Sequence, residues 1–311
     1  MNYFLFAAFW LVAASSSWAT PTQEIVTLDT GSGKLEGTLL TADSADTKTI
    51  ALIIAGSGPT DRDGNNPAMT NNSLKMLADE LSKIGVSSLR YDKRGVGKSK
   101  GSGLNESELR FEHYVNDASG WVDYLSQQDR FDKLVVIGHS EGSLIGMIAS
   151  QTSHVDKFVS IAGVGQPVDQ TIREQLKAQP AIVLEQSGPI LDKLLQGETV
   201  KNVPKYLYSL FRPSVQDYMI SWFKYDPQIE IAKLDKPVLV VQGASDIQVS
   251  LNDADKLAAA NTGAEKAVIQ KMNHIFKEAS LDRLANLKTY NQPDLPMMPE
   301  LAQTIGEFVT N

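Results

Sequence analysis

Gly138-His139-Ser140-Glu141-Gly142 stands between an apolar run at residues 133–137 and a helix-like run at 143–150. This is Gly-x-Ser-x-Gly at a strand-to-helix junction, the pattern of a nucleophile elbow. A serine hydroxyl is a weak nucleophile until geometry and a nearby base activate it. A sharp turn lifts the hydroxyl off the sheet edge and crowds the backbone. Small residues are then needed two places before and two places after Ser140, and Gly138 and Gly142 occupy both. An ordinary helix N-cap also favours serine. The two readings separate on whether an acid and a base follow in the right places.

Working outward, short apolar runs alternate with amphipathic segments. Residues 49–54, 86–91, 157–161, 237–242 and 266–270 read as strands, and 24–28 with 34–40 as a hairpin about Gly31-Ser32-Gly33. Leu74, Leu77, Leu81 and Ile84 recur at helical spacing, and Gly85 stops that helix. Tyr114, Ala118, Trp121, Val122 and Leu125 mark another helix; residues 252–260 and 299–309 read as two more. The alternation implies an α/β class chain with a mostly parallel central sheet and helices on both faces.

Residues 163–235 break the pattern. They are helix-like at 168–179, 181–195, 203–210 and 215–224, and carry Tyr206, Tyr208, Phe211, Tyr218, Trp222, Phe223 and Tyr225. We read a helical cap inserted between two strands, its rings mostly forming its own core and one or two lining a pocket. The expected division is a leader at 1–19, core at 20–162, cap at 163–235 and core again at 236–311.

With 311 residues, 42% of them hydrophobic, the chain can bury one large core plus such an insertion. A net charge of −8 without a long basic stretch argues against a nucleic-acid partner. The absence of cysteine excludes disulfides, thiolate metal sites and a cysteine nucleophile. Residues 3–14 are apolar, and Ser17 and Ala19 are small residues at the −3 and −1 places of a secretory cleavage site. No Lys or Arg precedes the run, which is short for a bilayer span. The expectation is a leader removed near Ala19 and a mature chain exported to the periplasm or beyond, without a stable membrane span.

A serine nucleophile on this architecture is followed in chain order by an acid and then a histidine. Of the four histidines, His113 and His139 precede Ser140, and His154 comes before any candidate acid loop. His139, within the elbow, is expected to point away from the serine. His274, just past the 266–270 strand, remains as the base. Strand 237–242 leads into Gly243-Ala244-Ser245-Asp246, whose carboxylate can fix the tautomer of His274. Asp253 and Asp255 fall at the start of the next helix, where acidic residues have a sufficient role. An oxyanion needs two preorganised donors. The backbone N–H of Glu141 is one; the second falls in Ala55-Gly56-Ser57-Gly58, at the N–H of Ser57 with Gly58 as the rival.

Two decoys are set aside. Gly95-Val96-Gly97-Lys98-Ser99 ends like a phosphate loop, but Asp92 stands where the first glycine belongs and loop text follows. Asp61-Arg62-Asp63-Gly64-Asn65 lacks the remaining ligands and the closing Glu of a calcium loop, so no metal is expected there.

Taken together, AGSGPTDRDGN (55–65), RYDKRGVGKS (90–99), GHSEG, QGASD (242–246) and Asn273-His274 resemble the bacterial serine aminopeptidase-like hydrolases (peptidase S33 type) and their carboxylesterase relatives in the α/β-hydrolase superfamily. The His-Gly usual at the oxyanion loop of that family is Ala55-Gly56 here. The resemblance implies the α/β-hydrolase fold and hydrolysis of a small-molecule ester or amide without a cofactor. Carboxylic esters of small to medium acyl chain are the expected substrates. Amide or peptide hydrolysis on the same three side chains is the nearest alternative, with Glu141 or a cap acid holding a substrate amine. A non-catalytic binding protein would be expected to have lost Ser140, Asp246 or His274, and all three are present.

Overall fold

The apolar runs of the sequence form one eight-stranded sheet in the computed structural model, which describes residues 22–42 and 48–310. The expected leader lies outside the described residues. The strands are β1 (Thr22–Asp29), β2 (Lys34–Thr41), β3 (Thr49–Ile54), β4 (Ser87–Tyr91), β5 (Lys133–His139), β6 (Lys157–Ile161), β7 (Val238–Gly243) and β8 (Glu265–Ile269). Their order is β1-β2-β4-β3-β5-β6-β7-β8. The hairpin β1–β2 joins antiparallel at the β4 edge, and every other pairing is parallel.

Parallel strands need crossovers, and helices supply them: α1 (Ser73–Lys83), α2 (Phe111–Ser126), α3 (Glu141–Ala149), then α4 (Val168–Leu176), α5 (Ala181–Leu195), α6 (Tyr208–Phe211), α7 (Pro213–Trp222) and α8 (Pro227–Ala232), and finally α9 (Leu251–Ala260), α10 (Arg283–Lys288) and α11 (Pro299–Thr310). Side chains alternate across β3. Ile50, Leu52 and Ile54 belong to one core with residues of α2, α3, α8 and α9, whereas Ala51 and Ile53 belong to a second core with residues of α1 and α11. Helices thus cover both faces, and each face of the sheet has its own core.

Helices α4–α8 fill the interval between β6 and β7, where the insertion was expected. The insertion has a small core of Val168, Ile172, Leu176, Leu191, Leu194, Leu207, Phe211 and Met219 among others. Its aromatic residues differ from expectation. Tyr218 and Tyr225 leave that core, Trp222 stays against its edge, and all three pack on Phe111 of α2, with ring centroids of Tyr218, Trp222 and Tyr225 at 6.3, 5.9 and 5.1 Å. The rings therefore seal the seam between insertion and sheet domain. The segment expected to be helical over 203–210 is a short 3-10 turn followed by the four-residue α6. Pro213 explains the break: Arg212 before it is extended (φ −51°, ψ 144°), and the proline opens α7.

Candidate active site

β3 runs on to β4 on one side of it, and the chain then returns to β5 on the other side. The carboxyl ends of β3 and β5 thus flank a point where the winding reverses, the place where open α/β sheets receive ligands. The Gly56 loop leaves β3 there, and Ser140 leaves β5.

Ser140 has φ 55° and ψ −122°, a backbone conformation that costs a non-glycine residue strain. The turn is tight enough to need its glycines. A Cβ on Gly138 would stand 2.3 Å from the Gly142 carbonyl oxygen, and one on Gly142 would stand 2.4 Å from the Ile54 carbonyl oxygen. Ser140 N–H donates to the Ile161 carbonyl (3.0 Å), fixing the turn to β6. The half-buried Ser140 hydroxyl makes no hydrogen bond among the described residues.

Asp246 follows β7, and His274 follows β8. The His274 Nδ1–H donates to Asp246 Oδ2 at 2.7 Å, with side chains 7% and 1% exposed. With the proton on Nδ1, a neutral His274 leaves Nε2 as an acceptor. Asp246 also accepts from Gln248 N (2.7 Å), Val249 N (3.0 Å) and Gln242 Nε2 (3.1 Å). Burial pushes the Asp246 carboxyl up. The His274 imidazole and the N–H groups of Val249 and Gln248 outweigh burial and hold it below its ordinary value.

The loop bearing His274 is closed by Asn273, whose N–H donates to the Lys277 carbonyl (3.0 Å) and whose Oδ1 accepts from the N–H of Lys277 (3.0 Å). Asn273 Nδ2 reaches Thr289 Oγ1 (2.8 Å), and Asn286 Nδ2 on α10 reaches the Ser245 carbonyl (2.8 Å). Asn286, whose Oδ1 also accepts from Asn273 Nδ2 (3.2 Å), thereby braces both the base loop and the acid loop.

His139 is buried within the elbow and packs against the base loop. Its ring lies 4.7 Å from the His274 ring and 4.9 Å from Phe276, and its Nε2–H donates to the His274 carbonyl at 2.9 Å. Burial and the neighbouring His274 push its imidazole down to about 3, so it is neutral across the ordinary pH range. The structure thus joins Asp246 to His274 directly and brings the elbow against the base loop through His139. No hydrogen bond runs from the Ser140 hydroxyl to His274 among the described residues. Such bonds are often long before a substrate is bound.

The Gly56 loop lies against the elbow: a Cβ on Gly56 would be 3.0 Å from Ser140 Cβ. The N–H groups of Ser57 and Glu141 have no protein acceptor among the described residues, as befits a loop tip and a first helical turn. The Glu141 side chain was read as able to hold a substrate amine, and the structure corrects this. The residue is 3% exposed, and its carboxylate pairs with Lys93 Nζ (3.2 Å) and accepts from the Tyr218 hydroxyl (2.6 Å). No sequence signal marked Lys93 or Tyr218 as its partners.

The two decoys resolve as structural turns. Asp92 accepts from the N–H groups of Arg62 (2.8 Å) and Lys98 (2.8 Å). Arg62 in turn pairs with Asp92 (2.9 Å) and Glu36 (2.5 Å), and Arg90 pairs with Asp63. Among the described residues no group of three or more His, Asp or Glu side chains converges as metal ligands would.

Comparison with known proteins gives concordant results. The serine aminopeptidase, S33 family model matches residues 69–209. Esterase EstD of Thermotoga maritima is 27% identical over 233 residues, which cover 72% of this chain and 54% of that protein. The chain thus spans about half the length of this relative. Among solved structures, Est1E from Butyrivibrio proteoclasticus with ferulic acid bound superposes with a TM-score of 0.62 at 16% identity, covering 92% of this chain and 100% of that one. An esterase from Pyrococcus furiosus, Pf2001, does so with a TM-score of 0.61 at 16% identity, covering 93% and 91%. Dienelactone hydrolase from Anabaena variabilis has a TM-score of 0.55 at 16% identity, covering 93% and 97%. The structural likenesses establish the α/β-hydrolase fold.

Proposed function

We propose that this chain, which has the α/β-hydrolase fold, is a serine hydrolase cleaving carboxylic esters of small to medium acyl chain. The observation that carries the reading is the hydrogen-bonded Asp246–His274 pair packed against the strained Ser140 turn. In this reading His274 Nε2 takes the Ser140 proton as the hydroxyl attacks the ester carbonyl. The N–H groups of Glu141 and Ser57 hold the oxyanion. His274 then protonates the leaving alcohol and afterwards activates water to release the acid. Asp246 stays ionised throughout and stabilises the imidazolium. Resemblance to a curated esterase and the serine aminopeptidase match support the chemistry.

Helices α4–α8 act as a cap over this site. A groove of about 320 Å³ within them is lined by Ile172, Leu176, Val183, Leu207 and Leu210 among others, and by none of Ser140, His274 and Asp246. Gln175, also on that groove, donates to the Gln248 carbonyl (3.1 Å) two residues past Asp246, which links the groove to the acid loop. Cleavage of amino-terminal peptides is the weaker reading, because the Glu141 carboxylate is already taken by Lys93 and Tyr218. In this reading the leader expected at residues 1–19 is removed on export, and N-terminal sequencing of the mature protein should begin near Thr20.

The test is a panel of p-nitrophenyl esters of graded acyl length beside aminoacyl-naphthylamides. Turnover of short and medium esters, lost in Ser140→Ala, is expected. Retained turnover in that variant, or turnover of the naphthylamides alone, would reject the ester reading.

A further inference from the structure

Lysine is among the residues least often buried, and a buried one needs a reason. Lys93, two residues beyond β4, is 1% exposed. Its ammonium makes three contacts. It donates to the Gly56 carbonyl at 2.5 Å, pairs with Glu141 Oε2 at 3.2 Å, and lies 5.0 Å from the centre of the Tyr114 ring. The other carboxylate oxygen of Glu141 accepts from Tyr218 of α7 at 2.6 Å. Tyr114 and Tyr218 meet edge to face at 5.6 Å. This cluster takes no part in the proton transfers of the mechanism.

Its geometry concerns the two oxyanion donors. In a trans peptide the C=O of one residue and the N–H of the next point in opposite directions. An ammonium holding the Gly56 carbonyl therefore fixes the plane of the 56–57 peptide and directs the Ser57 N–H away from Lys93. The same ammonium holds the side chain of Glu141, the residue that carries the other N–H. It also neutralises a carboxylate that would otherwise oppose negative charge building up beside it.

We propose that Lys93 is a positioning residue that sets both oxyanion donors at once, and that Tyr218 ties their alignment to the seating of α7. The inference rests on the serine-hydrolase reading above and deepens it. Lys93 touches neither substrate nor reacting atoms; it acts through the Gly56–Ser57 peptide and Glu141. Cap and oxyanion loop are then linked by one chain of bonds: α7, Tyr218, Glu141, Lys93, Gly56.

The test reads oxyanion stabilisation itself. Three quantities are measured in each variant: ester kcat and KM, the rate of Ser140 labelling by a fluorophosphonate, and inhibition by a trifluoromethyl ketone, whose hemiketal adduct with serine carries the oxyanion. Lys93→Met is combined with Glu141→Gln, so that no unpaired charge stays buried and the Glu141 N–H is kept. In this pair kcat, labelling rate and ketone affinity should each fall about 100-fold, with KM moving less than about twofold. Tyr218→Phe removes a single hydroxyl and should lower the same three quantities in proportion, by about fivefold. It keeps the proposal open to refutation if the double variant fails to fold. Unchanged ketone affinity in a folded variant, whatever happens to its melting temperature, overturns the role of Lys93. A wild-type protein that the fluorophosphonate does not label would instead overturn the serine-hydrolase reading.

Discussion

The two halves of the candidate site are held by different physics. The nucleophile half, around Ser140, is a strained backbone turn backed by a buried charge pair, Lys93–Glu141. The base half, around Asp246 and His274, sits on loops beyond β7 and β8 and is braced mostly by hydrogen bonds from backbone amides and from Gln242, Asn273 and Asn286. Strain and buried charge tolerate little relaxation, because a buried ion left unpaired is expensive. A mesh of several hydrogen bonds, each worth about 1 kcal/mol, can lose one member and persist. Substitutions in the first half should therefore cost stability as well as rate. Substitutions in the second half should cost rate with much of the fold preserved.

The sharpest case is Asp246→Asn. The amide oxygen can still accept from Gln248 and Val249, so the loop should persist. The imidazole loses its anionic partner, and kcat should fall about 10⁴-fold, measured on p-nitrophenyl acetate. A fall of less than about tenfold would break the comparison by showing that the base half does not need its carboxylate.

Gly142→Ala tests the other half. Its Cβ would meet the Ile54 and Ala55 carbonyl oxygens at 2.4 and 2.6 Å, backbone atoms that cannot swing aside. Overpacking at this point should cost about 3 kcal/mol in chemical denaturation. An alanine variant of full stability would mean that the elbow is looser than described.

His139 lies at the seam, and its contribution to stability has a definite sign. The folded imidazole is pushed down to about 3 and the unfolded one titrates near its ordinary value of about 6.5. Between those limits the unfolded chain binds the extra proton, so stability should fall as pH drops below about 6.5, by at most about 1.4 kcal/mol per pH unit. His139→Phe should flatten that slope in denaturation curves from pH 7 to 4. An unchanged slope would show that folding does not depress this imidazole.

The same contrast explains what could be read from sequence. The elbow was legible because its demands are local: glycines two places either side of the serine, an apolar run before and a helix after. The sheet was legible for a similar reason, since 49–54 and 237–242 are apolar runs bounded by turn residues, and their strands differ from those readings by no more than a residue at either end. His274 came from topological order, and it lies in hydrogen-bond contact with Asp246. Lys93, Tyr218 and the contact of His139 with the base loop were not legible. A lysine that folding buries is written with the same letter as one in solvent, and its partner Gly56 is 37 residues away. The short α8 and α10 did carry a signal. Asp226 before Pro227, and Asp282 three residues before Ala285, cap them through Gln228 and Ala285 N–H, and such caps mark helix starts even without a long apolar stripe.

The most direct measurement is intact-mass and peptide mapping after exposure of the mature protein to a fluorophosphonate. A single adduct on Ser140, absent in His274→Ala, is the predicted result. An adduct on Ser57 instead, or none at all on a folded protein, would contradict the account.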